Sequence, residues 1–351
     1  MSDFSQYGGP SDEWLAVEAG LPPLPLHLPI SELQAAANKG REEIAAEGMK
    51  LLASQVTVHD WTITTRDGAT LEARTYRPKA APDGPLPVYL YFHGGGFLFG
   101  TLASEDVTSS RIAISTNVIV LNVNYRHTPE FAYPTAWNDA EDSFIWLHSN
   151  ISEVGGDANK VVVGGISAGG QLTASLTLAH HLGKVAQDLP PIAGQVLMIP
   201  CLNHVDCYEP QLKKLKDPSV SSYTENKNAP ILPRTMIDLF LSLLKVENPD
   251  VNDLRLNPGN ATLDQVKGLP PTTFGICGLD PLRDEGLLYA KLLVEAGVPT
   301  DVHIFRGVPH GFRRFGDKLS ESKHWDNTTD NGITWALTKP ATTGEFIIHE
   351  H

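Results

Sequence analysis

A serine lies at the centre of the pentapeptide Gly165-Ile166-Ser167-Ala168-Gly169. The apolar residues 160–164 before it are typical of a buried strand, and residues 171–179 have the periodicity of a helix. A G-x-S-x-G match between a strand and a helix predicts a sharp turn that exposes the serine hydroxyl, and flanking side chains would clash there. Ser167 is therefore a candidate nucleophile. The Ala168 N–H, at the helix start, is a candidate donor to developing negative charge.

A second glycine-rich segment follows an earlier apolar run. Residues 88–92 have the character of a buried strand and lead into His93-Gly94-Gly95-Gly96-Phe97. The glycines leave the backbone N–H groups of Gly94 and Gly95 uncovered, which suits an oxyanion hole shared with Ala168. A flexible loop or a phosphate-binding turn is the alternative, but the G-x-x-x-x-G-K-[ST] and G-x-G-x-x-G patterns do not occur in this segment. Together the two motifs predict a serine hydrolase.

An acid and a histidine follow the exits of two later predicted strands. Asp280 comes after the apolar run 272–277, and His310 comes after 301–305. In an α/β sheet the ligand crevice lies outside the carboxyl ends of the strands, so both side chains are expected at the edge that carries Ser167. His310 would then act as general base, and Asp280 would hold its tautomer and orientation.

Other polar residues near these motifs are assigned structural roles. Asp284 and Glu285 are rival acids, but in the first turn of the next helix they are expected to face solvent or the helix dipole. His93 is expected to brace the glycine loop. Arg126 and Glu130 are expected to form an ion pair or to bond to the oxyanion loop.

Three aromatic residues, Phe97, Phe99 and Tyr133, are candidates for lining an acyl pocket. Aromatic residues near a crevice are core residues at least as often, so that alternative stays open. The remaining histidines lack metal-ligand spacing with carboxylates or cysteines. The predicted chemistry therefore uses neither a metal nor a cofactor.

From about residue 85 to residue 315 the chain resembles the hormone-sensitive-lipase-like family of α/β-hydrolases. The matching segments are the two glycine-containing motifs and residues 125–130, 133–134, 280–285 and 310–312. The resemblance implies carboxylic ester hydrolysis with Ser167, Asp280 and His310 as the triad. The chain departs from the family pattern in two places: Ile166 replaces the usual Asp, Glu or Thr, and His127-Thr128 replaces Leu-Ala.

From residue 86 onward, predicted strands alternate with predicted helices, and these elements must position the candidate site residues. Helical patterns separate predicted strands near 86–92, 117–123, 160–165, 194–199, 272–277 and 301–305. This order predicts an α/β fold with a mostly parallel, doubly wound sheet. Upstream, we expect a helix over residues 31–52 with Ser31 as N-cap. An antiparallel hairpin is expected to follow, with strands at 56–64 and 70–76.

The alternation breaks between Ile199 and Leu269. We expect a single α/β-hydrolase domain over residues 1–351, with cap segments at roughly 1–50 and 203–250 that cover the crevice and select the substrate. The alternative is that these helices only cover a sheet edge. The cap is also what the family resemblance implies.

The composition of the chain bears on its core, its partners, its cysteines and its location. With 351 residues, 41% hydrophobic and 19% charged, the chain can bury a large core, and its net charge of -14 disfavours nucleic acid and anionic membranes as partners. Its three cysteines, Cys201, Cys207 and Cys277, lack a C-x-x-C pair, so free thiols are expected. The first residues do not resemble a secretory signal, and no apolar stretch of about 18 residues could span a membrane. A cytoplasmic location is therefore predicted.

We therefore expect a serine-dependent esterase that forms an acyl-enzyme on a small-molecule ester. A non-catalytic small-ligand receptor on the same fold is one alternative, although the presence of His310 argues against it. A biosynthetic lyase or acyltransferase that uses the same site is the other. The sequence leaves the oligomeric state open.

Overall fold

The computed structural model describes residues 1–24 and 27–351. Within those residues, nine strands form one sheet: β1 (Val56–Thr64), β2 (Thr70–Pro78), β3 (Leu86–Phe92), β4 (Ile119–Val123), β5 (Gly156–Ile166), β6 (Gly194–Met198), β7 (Thr272–Leu279), β8 (Thr300–Pro309) and β9 (Ile348–Glu350). The α-helices of the same part of the chain are α1 (Asp12–Glu18), α2 (Ile30–Leu52), α3 (Asp106–Thr116), α4 (Thr135–Ser149), α5 (Ile151–Val154), α6 (Ala168–His181), α7 (Glu209–Leu212), α8 (Ser222–Glu225), α9 (Arg234–Leu244), α10 (Leu263–Val266), α11 (Arg283–Glu295) and α12 (Glu321–Leu337). Short 3₁₀ helices lie at Ser5–Tyr7, Ala103–Glu105, Val205–Cys207, Pro218–Val220, Pro258–Asn260 and Phe312–Lys318.

The sheet has the strand order β1-β2-β4-β3-β5-β6-β7-β8-β9. β1 and β2 form the predicted antiparallel hairpin, with Val56 opposite Pro78, and β2 is also antiparallel to β4. From β4 to β9 every neighbouring pair is parallel. The α/β-hydrolase fold with a mostly parallel sheet is therefore confirmed.

The two faces of the sheet carry separate cores because successive side chains of a strand point in opposite directions. On β3, Val88, Leu90 and Phe92 pack with residues of α4 and α6. Tyr89 and Tyr91 pack with residues of α3 and α12 on the opposite face. Helices thus cover both faces, as the alternating pattern predicts.

Helix α2 begins earlier than its sequence suggests. The Pro29 carbonyl accepts the Leu33 N–H at 2.9 Å, so Pro29 is the N-cap and Ser31 lies inside the first turn. The prediction that Ser31 caps this helix is wrong, because Pro29 can supply a carbonyl acceptor and needs no N–H partner of its own.

The insertion between β6 and β7 contains α7, α8, α9 and α10. Its helix α9 lies near the glycine loop, residues 93–97. Met236 and Ile237 of α9 form a small apolar cluster with Leu282. A Cβ built on Gly96 would lie 2.4 Å from the Phe240 ring of α9. Strand-like pairing between residues 2 and 215 joins the N-terminal segment to the insertion. That residues 1–50 and 203–250 act as a substrate-selecting cap stays a prediction.

The structure also describes the cysteines, the apolar character of the helices and the clusters of metal-ligating side chains. The three cysteines are free, as expected. None of the helices in the described residues combines the length and apolar character needed to cross a membrane. The same residues contain no group of three His, Cys, Asp or Glu side chains placed to hold a metal ion.

Candidate active site

Ser167 lies in the sharp turn between β5 and α6. Its backbone has φ 55° and ψ -115°, a conformation that non-glycine residues rarely adopt. A Cβ on Gly165 would lie 2.3 Å from the Gly169 carbonyl oxygen, and one on Gly169 would lie 2.0 Å from the Phe92 carbonyl oxygen. The clash predicted for side chains beside the serine is therefore confirmed. The turn needs glycine on both sides because backbone atoms of the neighbouring strand and helix fill that space.

The side chains of Ser167, His310 and Asp280 form one hydrogen-bonded series. His310 Nε2 lies 2.9 Å from Ser167 Oγ, and His310 Nδ1 lies 2.7 Å from Asp280 Oδ2. Asp280 is only 1% exposed, and its second oxygen accepts the Leu282 N–H at 2.9 Å, which anchors the carboxylate. With Nδ1–H donated to Asp280, Nε2 is free to accept the serine proton. The three residues stand at the exits of β5, β7 and β8.

The glycine loop packs directly against the Ser167 turn. A Cβ on Gly94 would lie 2.9 Å from the Ile166 carbonyl oxygen. Gly95 has φ 145°, and a Cβ there would lie 2.1 Å from the Phe99 carbonyl oxygen. Within the described residues, the backbone N–H groups of Gly94, Gly95 and Ala168 donate to no protein acceptor. Unpaired N–H groups in such a packed segment are available to an oxyanion.

His93 supports the loop from inside the core. It is fully buried, its Nδ1 lies 3.1 Å from the Gly94 carbonyl oxygen, and its ring stacks on Tyr125 with centroids 4.5 Å apart. The Tyr125 hydroxyl donates to the His93 carbonyl at 2.8 Å. Burial lowers the pKa of His93 to about 3, so the ring is neutral near pH 7. This environment agrees with a bracing role.

Asp284 and Glu285 are buried, so the prediction that they face solvent or only the helix dipole is wrong. The Asp284 carboxylate accepts the Ser222 N–H at 2.7 Å and Arg283 Nε at 2.9 Å. Glu285 accepts the Leu202 N–H at 2.8 Å. Desolvation by burial raises the pKa of both carboxyl groups. Their hydrogen bonds attach α8 and the segment after β6 to α11.

Arg126 does not pair with Glu130, and that prediction is wrong. Its guanidinium lies 2.6 Å from Asp139 of α4 and 2.8 Å from Asp67 in the hairpin turn. The glycine loop is instead contacted by the nearby Thr128, whose N–H and hydroxyl both donate to the Phe97 carbonyl oxygen. Thr128 is one of the departures from the family pattern, so this departure adds a loop contact.

The three candidate pocket aromatics lie in different environments. Phe97 is buried and stacks on Trp137 with centroids 4.8 Å apart, so it takes the alternative role of a core residue. Tyr133 packs edge-on against the same indole. Phe99 contacts Phe240 of the insertion, with centroids 5.8 Å apart. Pocket roles for Phe99 and Tyr133 stay predictions.

Polar side chains of α2 also contact the loop region, and sequence reasoning missed them. The contacts are Gln34 Nε2 to the Leu98 carbonyl at 2.7 Å, the Gly100 N–H to Asn38 Oδ1 at 2.8 Å, and Arg41 Nη2 to the Gly94 carbonyl at 3.1 Å. Helical periodicity indicated the helix but carried no signal for which distant segment its polar face would meet.

Comparison with known proteins identifies the relatives of this chain. Residues 89–314 match a family described as having the alpha/beta hydrolase fold. The chain is 37% identical over 256 residues to carboxylesterase NlhH of Mycobacterium tuberculosis strain H37Rv, covering 71% of this chain and 73% of that protein. The solved structure of a bacterial heroin esterase has a TM-score of 0.78 and 29% identity, covering 95% of this chain and 99% of the other. Vibralactone cyclase has a TM-score of 0.84 and 26% identity, covering 97% of each chain.

Proposed function

Because the chain belongs to the hormone-sensitive-lipase-like family of α/β-hydrolases and is a carboxylic ester hydrolase, we propose that it cleaves small-molecule esters through an acyl-enzyme on Ser167. The observation that carries the proposal is the series Ser167–His310–Asp280, with hydrogen bonds of 2.9 and 2.7 Å. His310 takes the hydroxyl proton as Oγ attacks the ester carbonyl, then returns it to the leaving alkoxide. Asp280 stabilises the imidazolium formed between these steps.

The oxyanion of the tetrahedral intermediate is bound by the N–H groups of Gly94, Gly95 and Ala168. Two of these donors come from the glycine loop and one from the first residue of α6, where the helix dipole also favours negative charge. A water molecule activated by His310 then hydrolyses the acyl-enzyme and restores Ser167. This route requires neither a metal nor a cofactor.

The proposal is tested by turnover of p-nitrophenyl acetate, butyrate and octanoate, together with labelling by a phosphonate ester. We expect hydrolysis of at least one ester and one phosphonate per chain on the peptide that contains Ser167, with the Ser167→Ala protein unlabelled. A protein that is inert and unlabelled would favour the receptor alternative. Acyl transfer to an added alcohol in preference to water would favour the acyltransferase alternative.

A side chain at Gly95 should impair the oxyanion hole. In Gly95→Ala the new Cβ would lie 2.1 Å from the Phe99 carbonyl oxygen unless the backbone turns, which moves the N–H. We expect kcat to fall by roughly 10² to 10³ with KM changed far less, as for the loss of one oxyanion donor. Steady-state kinetics beside a melting curve measure both effects.

The matched control is Gly40→Ala in α2, where a Cβ would have no neighbour within 4 Å. It should keep full kcat and add about 0.5 to 1 kcal/mol to the free energy of unfolding, because alanine favours helix more than glycine does. A folded Gly95→Ala protein with full kcat would show that this glycine does not serve the oxyanion.

A further inference from the structure

We propose that Arg41 of helix α2 is a positioning residue for the oxyanion hole, because it holds the Gly94–Gly95 peptide with the Gly95 N–H turned toward the reacting carbonyl oxygen. The inference rests on the proposed function. Arg41 lies more than fifty positions upstream of the glycine loop in the sequence, and it is not one of the three residues of the Ser167–His310–Asp280 series.

Arg41 is held between a buried carboxylate and the loop. Its Nη2 lies 3.1 Å from the Gly94 carbonyl oxygen and 2.8 Å from Glu105 Oε1. Glu105 is itself 5% exposed and accepts the Tyr91 hydroxyl at 2.9 Å and the Ser104 hydroxyl at 3.2 Å. Because Tyr91 belongs to β3, the guanidinium is anchored to the central sheet. Its contact with the loop is therefore a fixed one.

The contact acts on the oxyanion donor through the geometry of the peptide bond. In a planar trans peptide the carbonyl and the following N–H point in opposite directions. A Gly94 carbonyl turned toward Arg41 therefore turns the Gly95 N–H away from α2. Glycines allow many peptide orientations, so the loop needs bonds from outside to select one.

Two side chains supply those bonds. His93 Nδ1 lies 3.1 Å from the same Gly94 oxygen, but that ring is neutral because burial lowers its pKa to about 3. Arg41 is the charged donor, and a charge-assisted hydrogen bond is stronger and also polarises the peptide, which makes the Gly95 N–H a better donor. Glu105 balances the charge of the guanidinium, so orientation of the peptide is the main effect. Such an effect should favour the tetrahedral intermediate over the bound ester.

The experiment compares Arg41→Met with Lys39→Gln, a control on the same helix whose side chain is 78% exposed. We expect Arg41→Met to lower kcat about 10- to 100-fold with KM nearly unchanged, less than the loss of a direct oxyanion donor. Guanidinium ion added at millimolar concentration should restore part of that kcat in a saturable manner, and Arg41→Lys should retain more kcat than Arg41→Met. Lys39→Gln should keep full kcat.

Full kcat in a folded Arg41→Met protein would overturn the inference. The inference would also be wrong if kcat fell together with the melting temperature and neither added guanidinium nor the Arg41→Lys variant restored it. That result is expected of a residue whose role is purely structural. If Arg41→Met does not fold, Arg41→Gln takes its place. Because glutamine keeps a donor but no charge, we expect a smaller loss of kcat in the same direction, and full kcat would again overturn the inference. Ser167→Ala is measured in parallel. If the Ser167→Ala protein is active, the proposed function itself is wrong. If it is inactive while the Arg41→Met protein is fully active, only the role of Arg41 is wrong.

Discussion

Replacing Ser167 by Ala is expected to lower kcat by a factor of about 10⁴ to 10⁶, because the hydroxyl is the proposed nucleophile. His310→Ala should cost nearly as much, since its Nε2 lies 2.9 Å from Ser167 Oγ and no other base is hydrogen-bonded to that hydroxyl within the described residues. The double variant should lose little more than either single variant, because the two residues act as a unit. Steady-state hydrolysis of p-nitrophenyl butyrate measures all three.

The control for the histidine is His181→Ala, at the exposed end of α6. It should leave kcat unchanged. If the losses in the Ser167 and His310 variants multiply in the double variant, the two residues are not partners, and the proposed mechanism is wrong.

Asp280→Asn is expected to lower kcat by about 10⁴ while the fold is retained. Asp280 Oδ2 lies 2.7 Å from His310 Nδ1 and accepts a hydrogen bond from the Nδ1–H group. An amide in that place can donate to Nδ1, which favours the imidazole tautomer that carries its proton on Nε2. That tautomer cannot accept the proton of Ser167.

Asp284→Asn and Glu285→Gln are the matched carboxyl-to-amide controls. Because both carboxylates are buried and hydrogen-bonded, we expect each change to lower the free energy of unfolding by about 1 to 3 kcal/mol. The kcat of the folded enzyme should change by well under tenfold, since neither carboxylate is hydrogen-bonded to His310 among the described residues. Kinetics beside urea unfolding separate the two effects. A large loss of kcat in Asp284→Asn with unchanged stability would show that the acid lies one turn further along the chain.

The sequence alone could predict the fold class and the groups that meet at the sheet edge, because both depend on local patterns. Apolar runs alternating with helical patterns indicated the parallel strands, and the exits of three of them carry Ser167, Asp280 and His310. Glycines on both sides of Ser167 indicated a turn without space for a Cβ, and the backbone atoms around Gly165 and Gly169 fill that space. Such signals come from residues that are close together in the sequence. The strand order, in which β4 lies between β2 and β3, was not among the predictions.

The partners of individual polar side chains were decided only by the tertiary structure. Glu285 binds the backbone of Leu202, 83 positions away, and Arg126 binds Asp139 and Asp67 where the sequence suggested the nearby Glu130. Arg41 meets the Gly94 carbonyl 53 positions downstream. The residues next to a charged side chain in the sequence do not indicate which distant group it will contact. The contact depends on how the helices pack on the sheet and on the free-energy cost of burying an unpaired charge.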